Sequence, residues 1–292
     1  MNRMKLKAYA KINLGLDVLG KREDGYHEVR MIMQTVRIYD RICLTKEKEP
    51  GIRIRTNLFY LPTDAENIVY RAAKRMIEEY QIKGGIEIDL QKYIPVAAGL
   101  AGGSSDAAAV LYGMNRMYHL GLSLEELMKQ GVKLGADVPY CLIRGTALSE
   151  GIGEKLTPLS AAPDCWVLMA KPPVSVSTKF VYENLDTKEL NQHPDIDGML
   201  KAIETGNLYD LANKMGNVLE TVTIPNYPVV AEIKEQIQKS GALNVLMSGS
   251  GPTVFGLFDS RERAERGYEI LKQSEISRQV YITRFYQPSL NH

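Results

Sequence analysis

The sequence has little cysteine and little histidine. Its three cysteines, Cys43, Cys141 and Cys165, stand far apart without a CxxC pair, which argues against a disulfide framework or a structural zinc site. The four histidines are equally scattered, so a histidine-based metal centre is not indicated. We therefore expect no dedicated metal site built by the protein alone.

Long apolar runs and dense basic stretches are also missing. No apolar run approaches the ~18 residues of a membrane span, and Lys5, Lys7 and Lys11 interrupt the stretch where a signal peptide would need a continuous apolar core. The net charge is +1 and no basic stripe is visible, which argues against nucleic acid as the main partner. We expect a cytoplasmic protein without membrane or nucleic-acid partners.

The composition is that of an ordinary globular protein, with 45% apolar and 24% charged residues. At roughly 100–200 residues per domain, 292 residues suggest two domains or one large one. The pattern changes near residue 160, where “GEKLTPLSAAPD” gives way to the short apolar strand “CWVLMA”. We place a domain boundary there.

Before this boundary, alternating polar and apolar residues predict strands at 6–19, in “RMIMQTVRIYDRICL”, in “GIRIRTN” and in “GIEIDLQ”. Helical spacing predicts helices in “ENIVYRAAKRMIEEY” and “SSDAAAVLYGMNRMYHL”, and a third helix after Ser123, where Glu126 completes a capping box. After the boundary, strands alternate with helices at about 178–184, 195–216, 227–239 and 260–273. That order favours an antiparallel α+β layer domain.

The stretch “PVAAGLAGGSSDAAAV” is almost bare backbone at the start of a predicted helix. Gly99, Gly102 and Gly103 allow a ligand to approach closely, and a helix beginning there points unbonded N–H groups at the same place. The stretch lacks the lysine of a Walker loop and the spacing of GxGxxG. It indicates a phosphate cradle of another kind, with a tight strand-to-helix turn as the structural alternative.

Two charged residues stand in apolar surroundings. Lys11 interrupts a predicted strand, and Asp137 lies in “GADVPYCL”, so each needs a partner. Such a pair would keep the aspartate ionised and able to accept a hydroxyl proton. The alternative for each is an ordinary surface charge or a structural ion pair.

Three separated segments together resemble the GHMP kinase superfamily: “AKINLGLDV…KREDGYHEV”, “PVAAGLAGGSSDAA” and “NVLMSGSGPTVFG”. “DGYHEV”, “LGADVPYCL” and “GTALSEGIGEKLTPL” further resemble the members that phosphorylate 4-diphosphocytidyl-2-C-methyl-D-erythritol in the non-mevalonate isoprenoid pathway. The resemblance implies a two-domain α+β fold with the active site in the cleft between the domains. Residues 1–160 would form an ATP-binding α/β domain like ribosomal S5 domain 2, and 161–292 a ferredoxin-like antiparallel α+β domain.

The resemblance also implies transfer of the γ-phosphoryl group of ATP to the 2-hydroxyl of the methylerythritol moiety, with Mg²⁺ accompanying ATP. Ser105 and Asp106 are both candidates for touching the metal, and their spacing does not decide between them. Asp137 would be the base, and Lys11 would hold Asp137 and the hydroxyl in register. Asn67 and Lys92 would lie near the adenosine, although Lys92 has the alternative of a solvated strand end. The phosphate loop would comprise Pro95, Val96, Ala97, Ala98, Gly99, Leu100, Ala101, Gly102, Gly103, Ser104 and Ser105.

The cytidine end of the substrate needs aromatic faces and a hydrogen-bonding partner for its edge. By resemblance, Tyr26 and Tyr182 would stack on the ring and His27 would bind the edge; a surface tyrosine is the alternative for Tyr182. Asn13, on the same strand face as Lys11, is expected to join the substrate site. Gly249 and Ser250 in “SGSGPTVFG” would contact substrate, or this segment is only a hairpin turn.

The chain departs from some relatives by having Ala97, Ala98 and Ala101 where they have further glycines. The alternatives to the main prediction are a GHMP kinase acting on homoserine, mevalonate or a sugar, and a nucleotide-binding regulator without turnover. The segment “GYHE” separates the first alternative from the main prediction, and the presence of both Lys11 and Asp137 argues against the second.

Overall fold

The computed structural model describes residues 2–188, 190, 192–277 and 279–288. The chain divides into two compact units, each assembled from separate stretches. The first unit takes the stretches up to Ala10, Ile38–Val96 and Ala101–Ile143; the second takes Lys11–Arg37, Ala97–Leu100 and the chain from Arg144 onward. Both units therefore contain part of the glycine-rich stretch, and the domain boundary near residue 160 stays a prediction.

The first unit combines strands with helices. In chain order its elements are β1 (Arg3–Lys21), β2 (His27–Glu47), β3 (Gly51–Thr56), α1 (Ile68–Glu79), β4 (Gly85–Gln91), α2 (Gly102–Tyr118), α3 (Leu124–Val132) and α4 (Val138–Ile143). The first two strands, β1 and β2, continue into the second unit. In the sheet, β4 pairs in parallel with β3 and antiparallel with β2.

Helices α1 and α2 pack together in the first unit. Helix α1 buries Val69, Ala72, Ala73 and Met76, which recur at the three- and four-residue spacing of one helix face. Helix α2 is buried over most of its length, and its run of alanines allows neighbours to approach closely on several sides. Helix α3 begins with the predicted capping box between Ser123 and Glu126, which is confirmed.

The second unit contains an antiparallel sheet flanked by helices. Its further elements are β5 (Thr146–Gly151), β6 (Lys155–Pro158), β7 (Trp166–Lys171), α5 (Thr178–Glu183), α6 (Ile196–Glu204), α7 (Leu208–Lys214), β8 (Gly216–Asn217), α8 (Glu220–Asn226), α9 (Val229–Lys239), β9 (Asn244–Met247), β10 (Val254–Phe258), α10 (Arg261–Gln273) and β11 (Gln279–Arg284). The sheet order β11-β7-β10-β9 is antiparallel throughout, which confirms the predicted antiparallel α+β layer.

One predicted helix is two helices in the structure. The sequence predicts a continuous helix over 195–216, but α6 ends before Gly206, which has φ +68°. Asn207 then caps α7 by accepting the N–H of Asp210. Glycine followed by a capping asparagine stops the first helix and starts the second.

Among the residues that the structure describes, every helix is too short or too polar to span a membrane. The predicted cytoplasmic location stays a prediction.

Candidate active site

Lys11 lies in β1 within the second unit and is 5% exposed. Its ammonium Nζ donates a hydrogen bond of 2.7 Å to Oδ1 of Asn13, two residues along the same strand face. Its main-chain N–H donates to the carbonyl oxygen of Leu100 at 3.1 Å. Lys11 and Asn13 are therefore brought together as expected, and the strand is bonded directly to the glycine-rich stretch.

Gly99 is enclosed by the segment 248–251. The hydroxyl of Ser248 donates to the carbonyl oxygen of Gly99 at 3.0 Å. A Cβ on Gly249 would lie 3.3 Å from the Gly99 carbonyl oxygen and 3.5 Å from Oδ1 of Asn13. The segment “SGSGPTVFG” thus lies against the middle of the glycine-rich stretch and against Asn13, in addition to turning the chain between β9 and β10.

Hydroxyl and ring contacts continue from this segment to the predicted cytidine-binding residues. Oγ of Ser250 is 2.9 Å from Oγ1 of Thr178, the first residue of α5. Tyr182 lies one turn further along α5, and its ring centroid is 5.2 Å from that of His27, with the ring planes inclined by 39°. Tyr182 is half-buried, so the structure places it beside His27 and not as an isolated surface tyrosine.

Tyr26 and His27 follow a tight turn between β1 and β2. Asp24 accepts the N–H of Tyr26, and the carbonyl oxygen of Tyr26 accepts the N–H of Arg22, which fixes the turn. The Tyr26 side chain is 60% exposed and its ring is available to a planar partner. Burial, with the nearby charge of Lys21, lowers the pKa of His27 below its ordinary value, so the imidazole is neutral at pH 7.

The glycine-rich stretch bends through unusual backbone conformations. Ala97 and Ala101 have φ values of +51° and +53°, the left-handed region that costs a residue with a Cβ about 1–2 kcal/mol. Ala101 is the N-cap of α2, and no side chain caps the first turn of that helix. Strain combined with an uncapped helix start is a feature of ligand-binding loops.

In the first unit, α2 begins at Gly102, two residues earlier than the sequence predicts, because Ala101 turns the chain into the helix. Gly103 is exposed, whereas Ser105 is buried and its N–H already donates to Ala101 at 2.8 Å. The main-chain N–H groups at the start of α2 belong to residues that come before Ser105 in the chain, ahead of the first hydrogen bond within the helix. They are the donors that a phosphate group would use.

Asn67 and Lys92 have defined structural partners. Asn67 caps α1 by accepting the N–H of Val69 at 3.0 Å, and its amide donates to Pro62. The Lys92 ammonium is bonded to the carboxylates of Asp40 and Asp106. Burial alone would lower the pKa of Lys92, but the two carboxylates outweigh it and the pKa is raised. Contacts of either residue with adenosine stay a prediction.

Asp137 directly precedes α4, where its carbonyl oxygen accepts the N–H of Cys141 at 3.1 Å. The residue is half-buried. Helix α4 packs on α2, and a Cβ on Gly135 would lie 4.0 Å from Oγ of Ser104. The turn that carries Asp137 therefore lies next to the serines that follow the glycines.

Among the described residues, no group of three or more histidine, cysteine, aspartate or glutamate side chains could hold a metal ion. The hydroxyl of Ser105, in the first turn of α2, is a hard oxygen donor of the kind that Mg²⁺ accepts besides phosphate oxygens. Ser105 is 3% exposed, so this hydroxyl lies beneath the surface of the helix start.

Several residues of this region were not identified from the sequence. Asn217 donates from its amide to the carbonyl oxygens of Met247 and Gly249, both at 2.8 Å, and so holds the segment beside Gly99. Thr178 joins α5 to Ser250. Only Asp40 left a signal in the sequence: it occupies a buried-face position of β2 between Ile38 and Ile42.

Two family models match the chain: the GHMP kinases N terminal domain over residues 67–145 and the GHMP kinases C terminal domain over residues 199–276. The 4-diphosphocytidyl-2-C-methyl-D-erythritol kinase of Lachnoclostridium phytofermentans is 58% identical, covering 98% of this chain and 99% of that protein. The protein of the same name from Lachnospira eligens is 57% identical, covering 99% of this chain and all of the relative.

Solved structures agree with these relatives. A crystal structure of 4-(cytidine 5'-diphospho)-2C-methyl-D-erythritol kinase matches with a TM-score of 0.84 and 32% identity, covering 98% of this chain and 100% of that one. Homoserine kinase from Cytophaga hutchinsonii matches with a TM-score of 0.76 at 22% identity, covering 97% of this chain and 95% of that one. The second likeness concerns the fold alone.

Proposed function

Because the chain belongs to the GHMP kinases and, within them, to the 4-diphosphocytidyl-2-C-methyl-D-erythritol kinase family, we propose that it phosphorylates the 2-hydroxyl of that substrate's methylerythritol moiety. The phosphoryl donor is ATP, as in GHMP kinases generally. The two-domain α+β fold predicted from the sequence is the fold of this superfamily. The reaction supplies a phosphorylated intermediate to isoprenoid synthesis.

The observation that favours a cytidine substrate is the pairing of His27 with Tyr182, with Tyr26 next to it. A neutral imidazole can donate from one ring nitrogen and accept at the other, which suits the mixed donor and acceptor edge of cytosine. Tyrosine rings offer flat faces for a pyrimidine. The same set of contacts leads through Thr178 and Ser250 to the glycine-rich stretch.

In the proposed reaction the carboxylate of Asp137 accepts the proton of the 2-hydroxyl as its oxygen attacks the γ-phosphorus. A new P–O bond forms, the bond from the γ-phosphorus to the β,γ-bridging oxygen breaks, and ADP leaves. Lys11, held by Asn13, positions the hydroxyl and the aspartate. The N–H groups of Gly102 and Gly103 and the positive end of α2 bind the phosphate oxygens.

Mg²⁺ would accompany ATP, and the hydroxyl of Ser105, in the first turn of α2, is the protein oxygen that we propose for it. When bound, such an ion neutralises charge on the phosphate oxygens. The residues of the chain orient the acceptor hydroxyl, take up its proton and bind the remaining phosphate oxygens.

A coupled assay of ATP turnover tests the proposal with a panel of alcohols: the diphosphocytidyl alcohol, homoserine and mevalonate. We expect ADP release only with the diphosphocytidyl alcohol. Turnover with homoserine or mevalonate instead would reassign the substrate within the superfamily. Binding of ATP and of the diphosphocytidyl alcohol without any ADP release would make the protein a regulator.

A further inference from the structure

The first unit contains a buried cluster of three ionisable side chains, Asp40, Lys92 and Asp106. The Lys92 ammonium donates to Oδ2 of Asp106 at 2.6 Å and to Oδ2 of Asp40. Asp40 is fully buried, and Asp106 and Lys92 are 2% and 8% exposed. One cation between two carboxyl groups at this depth is a costly arrangement, because the single ammonium cannot balance both negative charges. Burial, together with the neighbouring Asp40, accordingly raises the pKa of Asp106 well above its ordinary value, although Lys92 opposes the shift.

The cluster joins three parts of the first unit that are distant in sequence. Asp40 belongs to β2, Lys92 follows β4, and Asp106 lies in the second turn of α2. Oδ1 of Asp40 also accepts the main-chain N–H groups of Tyr93 and Ile94, at 2.5 and 2.8 Å. Asp40 therefore holds both the Lys92 side chain and the backbone that leads into the phosphate loop.

The start of α2 has no side-chain cap of its own, because its N-cap is Ala101. A cap would occupy the free N–H groups that a phosphate must reach. Something else has to fix the position of this helix end. Packing on α1 and α4 holds the body of α2, and the contact of Lys92 with Asp106 reaches the helix from the side close to its start.

Lys92 also packs directly against the first residue of the helix. A Cβ on Gly102 would lie 3.2 Å from the Lys92 Nζ and 3.0 Å from Cγ2 of Ile94. The ammonium is thus next to the main chain of Gly102. A displacement of Lys92 would therefore shift the first main-chain N–H groups of α2.

We infer that Asp40 is a positioning residue for ATP: through Lys92 and Asp106 it fixes the first turn of α2, so that its N–H groups point at the ATP phosphates. This inference rests on the proposed function, in that the phosphate ligand is ATP. In this inference Lys92 acts through the start of α2, and its predicted place near the adenosine is a separate question. Asp40 itself is fully buried and acts through its two neighbours.

The test variant is Asp40→Asn. Asparagine has the same shape and can still accept the N–H groups of Tyr93 and Ile94, but its NH₂ group faces the Lys92 ammonium and cannot accept from it. We expect the Kd of ATP, measured by calorimetry, and the KM for ATP to rise about tenfold, roughly the effect of losing one charged hydrogen bond. The KM for the cytidyl substrate should stay within about twofold.

Hydrogen exchange of the unliganded protein provides a second readout. The N–H of Ser105 donates to Ala101 in the first turn of α2, and we expect it to exchange faster in Asp40→Asn while the amides of α1 are unchanged. This readout does not depend on which alcohol the enzyme phosphorylates. A failure of the proposed substrate and a failure of this inference are therefore distinguishable.

The matched control is Gln130→Ala. Gln130 is also buried in the first unit, where it accepts from Arg75 at 2.5 Å and donates to Tyr80 at 3.0 Å, away from the start of α2. The two variants are compared at equal loss of Tm. If Asp40→Asn then changes the Kd of ATP and the exchange rate of the Ser105 amide no more than Gln130→Ala does, the positioning role of Asp40 is wrong.

If Asp40→Asn does not fold, Asp106→Asn takes its place in the test. In that variant the ion pair between Lys92 and Asp40 remains and keeps Lys92 paired. Because Asp106 is the member of the cluster that lies on α2, changes of at least the same size in the ATP Kd and in helix exchange are expected. Wild-type values for both quantities in a folded Asp106→Asn protein would overturn the inference.

Discussion

The hydroxyl of Ser248 donates to the carbonyl oxygen of Gly99, while the carbonyl oxygen of Ser248 stands 2.1 Å from the point where a Cβ on Gly99 would lie. Position 99 therefore has room for hydrogen only, and its φ of +73° also favours glycine. The two residues are 149 positions apart in sequence, and they meet through this hydrogen bond and a close approach of their main chains.

Gly99→Ala should disrupt this contact. The new methyl group forces the backbone of the loop or of residue 248 to move, so we expect a stability loss of roughly 1–3 kcal/mol and a marked rise in the KM for ATP. Thermal unfolding and initial rates measure the two effects. Gly121→Ala is the control, because Gly121 has φ +71° but no neighbour within 4 Å. Equal effects of both variants would mean that φ alone matters at position 99.

Asp137→Asn tests the proposed base. We expect kcat to fall by roughly 10²–10⁴, since the amide cannot take up the hydroxyl proton, with the KM for ATP little changed. Steady-state kinetics with ATP and the cytidyl substrate measure both constants. Asp89→Asn, on β4 in the same unit, should leave kcat unchanged. A near-normal rate for Asp137→Asn would limit Asp137 to a structural role.

Tyr26→Ala tests the cytidine assignment. Losing one aromatic face should weaken binding of the cytidyl substrate by about two- to tenfold and leave ATP binding unchanged. Calorimetric titration with each ligand separates the two affinities. Tyr209→Ala is the matched control, because Tyr209 is 57% exposed against 60% for Tyr26. Equal losses for ATP and the cytidyl substrate would rule out stacking of Tyr26 on cytosine.

His27 should make binding of the cytidyl substrate sensitive to acid. Its pKa lies below the ordinary 6.5 because of burial and Lys21, so the neutral ring is lost only as the pH falls through this lowered value. We expect the KM for the cytidyl substrate, but not for ATP, to rise over that range. The folded protein also loses stability from pH 6.5 down to the lowered pKa, since the unfolded chain binds the proton more readily.

Two variants check the origin of this acid sensitivity. His27→Gln should flatten the pH profile of the KM for the cytidyl substrate. Lys21→Met should move its midpoint to higher pH, because a positive neighbour is removed. An unchanged profile in His27→Gln would assign the titration to another group.

Local sequence patterns predicted much of the fold. Strand β4 has the predicted bounds, and the box of Ser123 and Glu126 starts α3, because alternation and capping depend on neighbouring residues. Strands β5 and β6 were not predicted: β5 is buried at five of its six positions, so it lacks alternation, and β6 has only four residues.

The candidate site was predictable only in part, for a similar reason. Lys11 and Asn13 share a strand face, which spacing reveals, and Asp40 breaks the apolar alternation of β2. Asn217 and Thr178 are ordinary polar residues in their own stretches. Their importance comes from contacts with residues 247–250, far along the chain, and no local pattern encodes such contacts.

The burial of Lys92 between two carboxylates also determines how the chain responds to chemical probes. Acylating reagents, including reactive ATP derivatives that label lysines in kinases, require an accessible amine in its neutral form. Lys92 is nearly inaccessible, and its raised pKa keeps it protonated, so it is a poor nucleophile. A lysine labelled by such a reagent is therefore expected to be a different one, and an inhibitor designed to capture Lys92 covalently would fail.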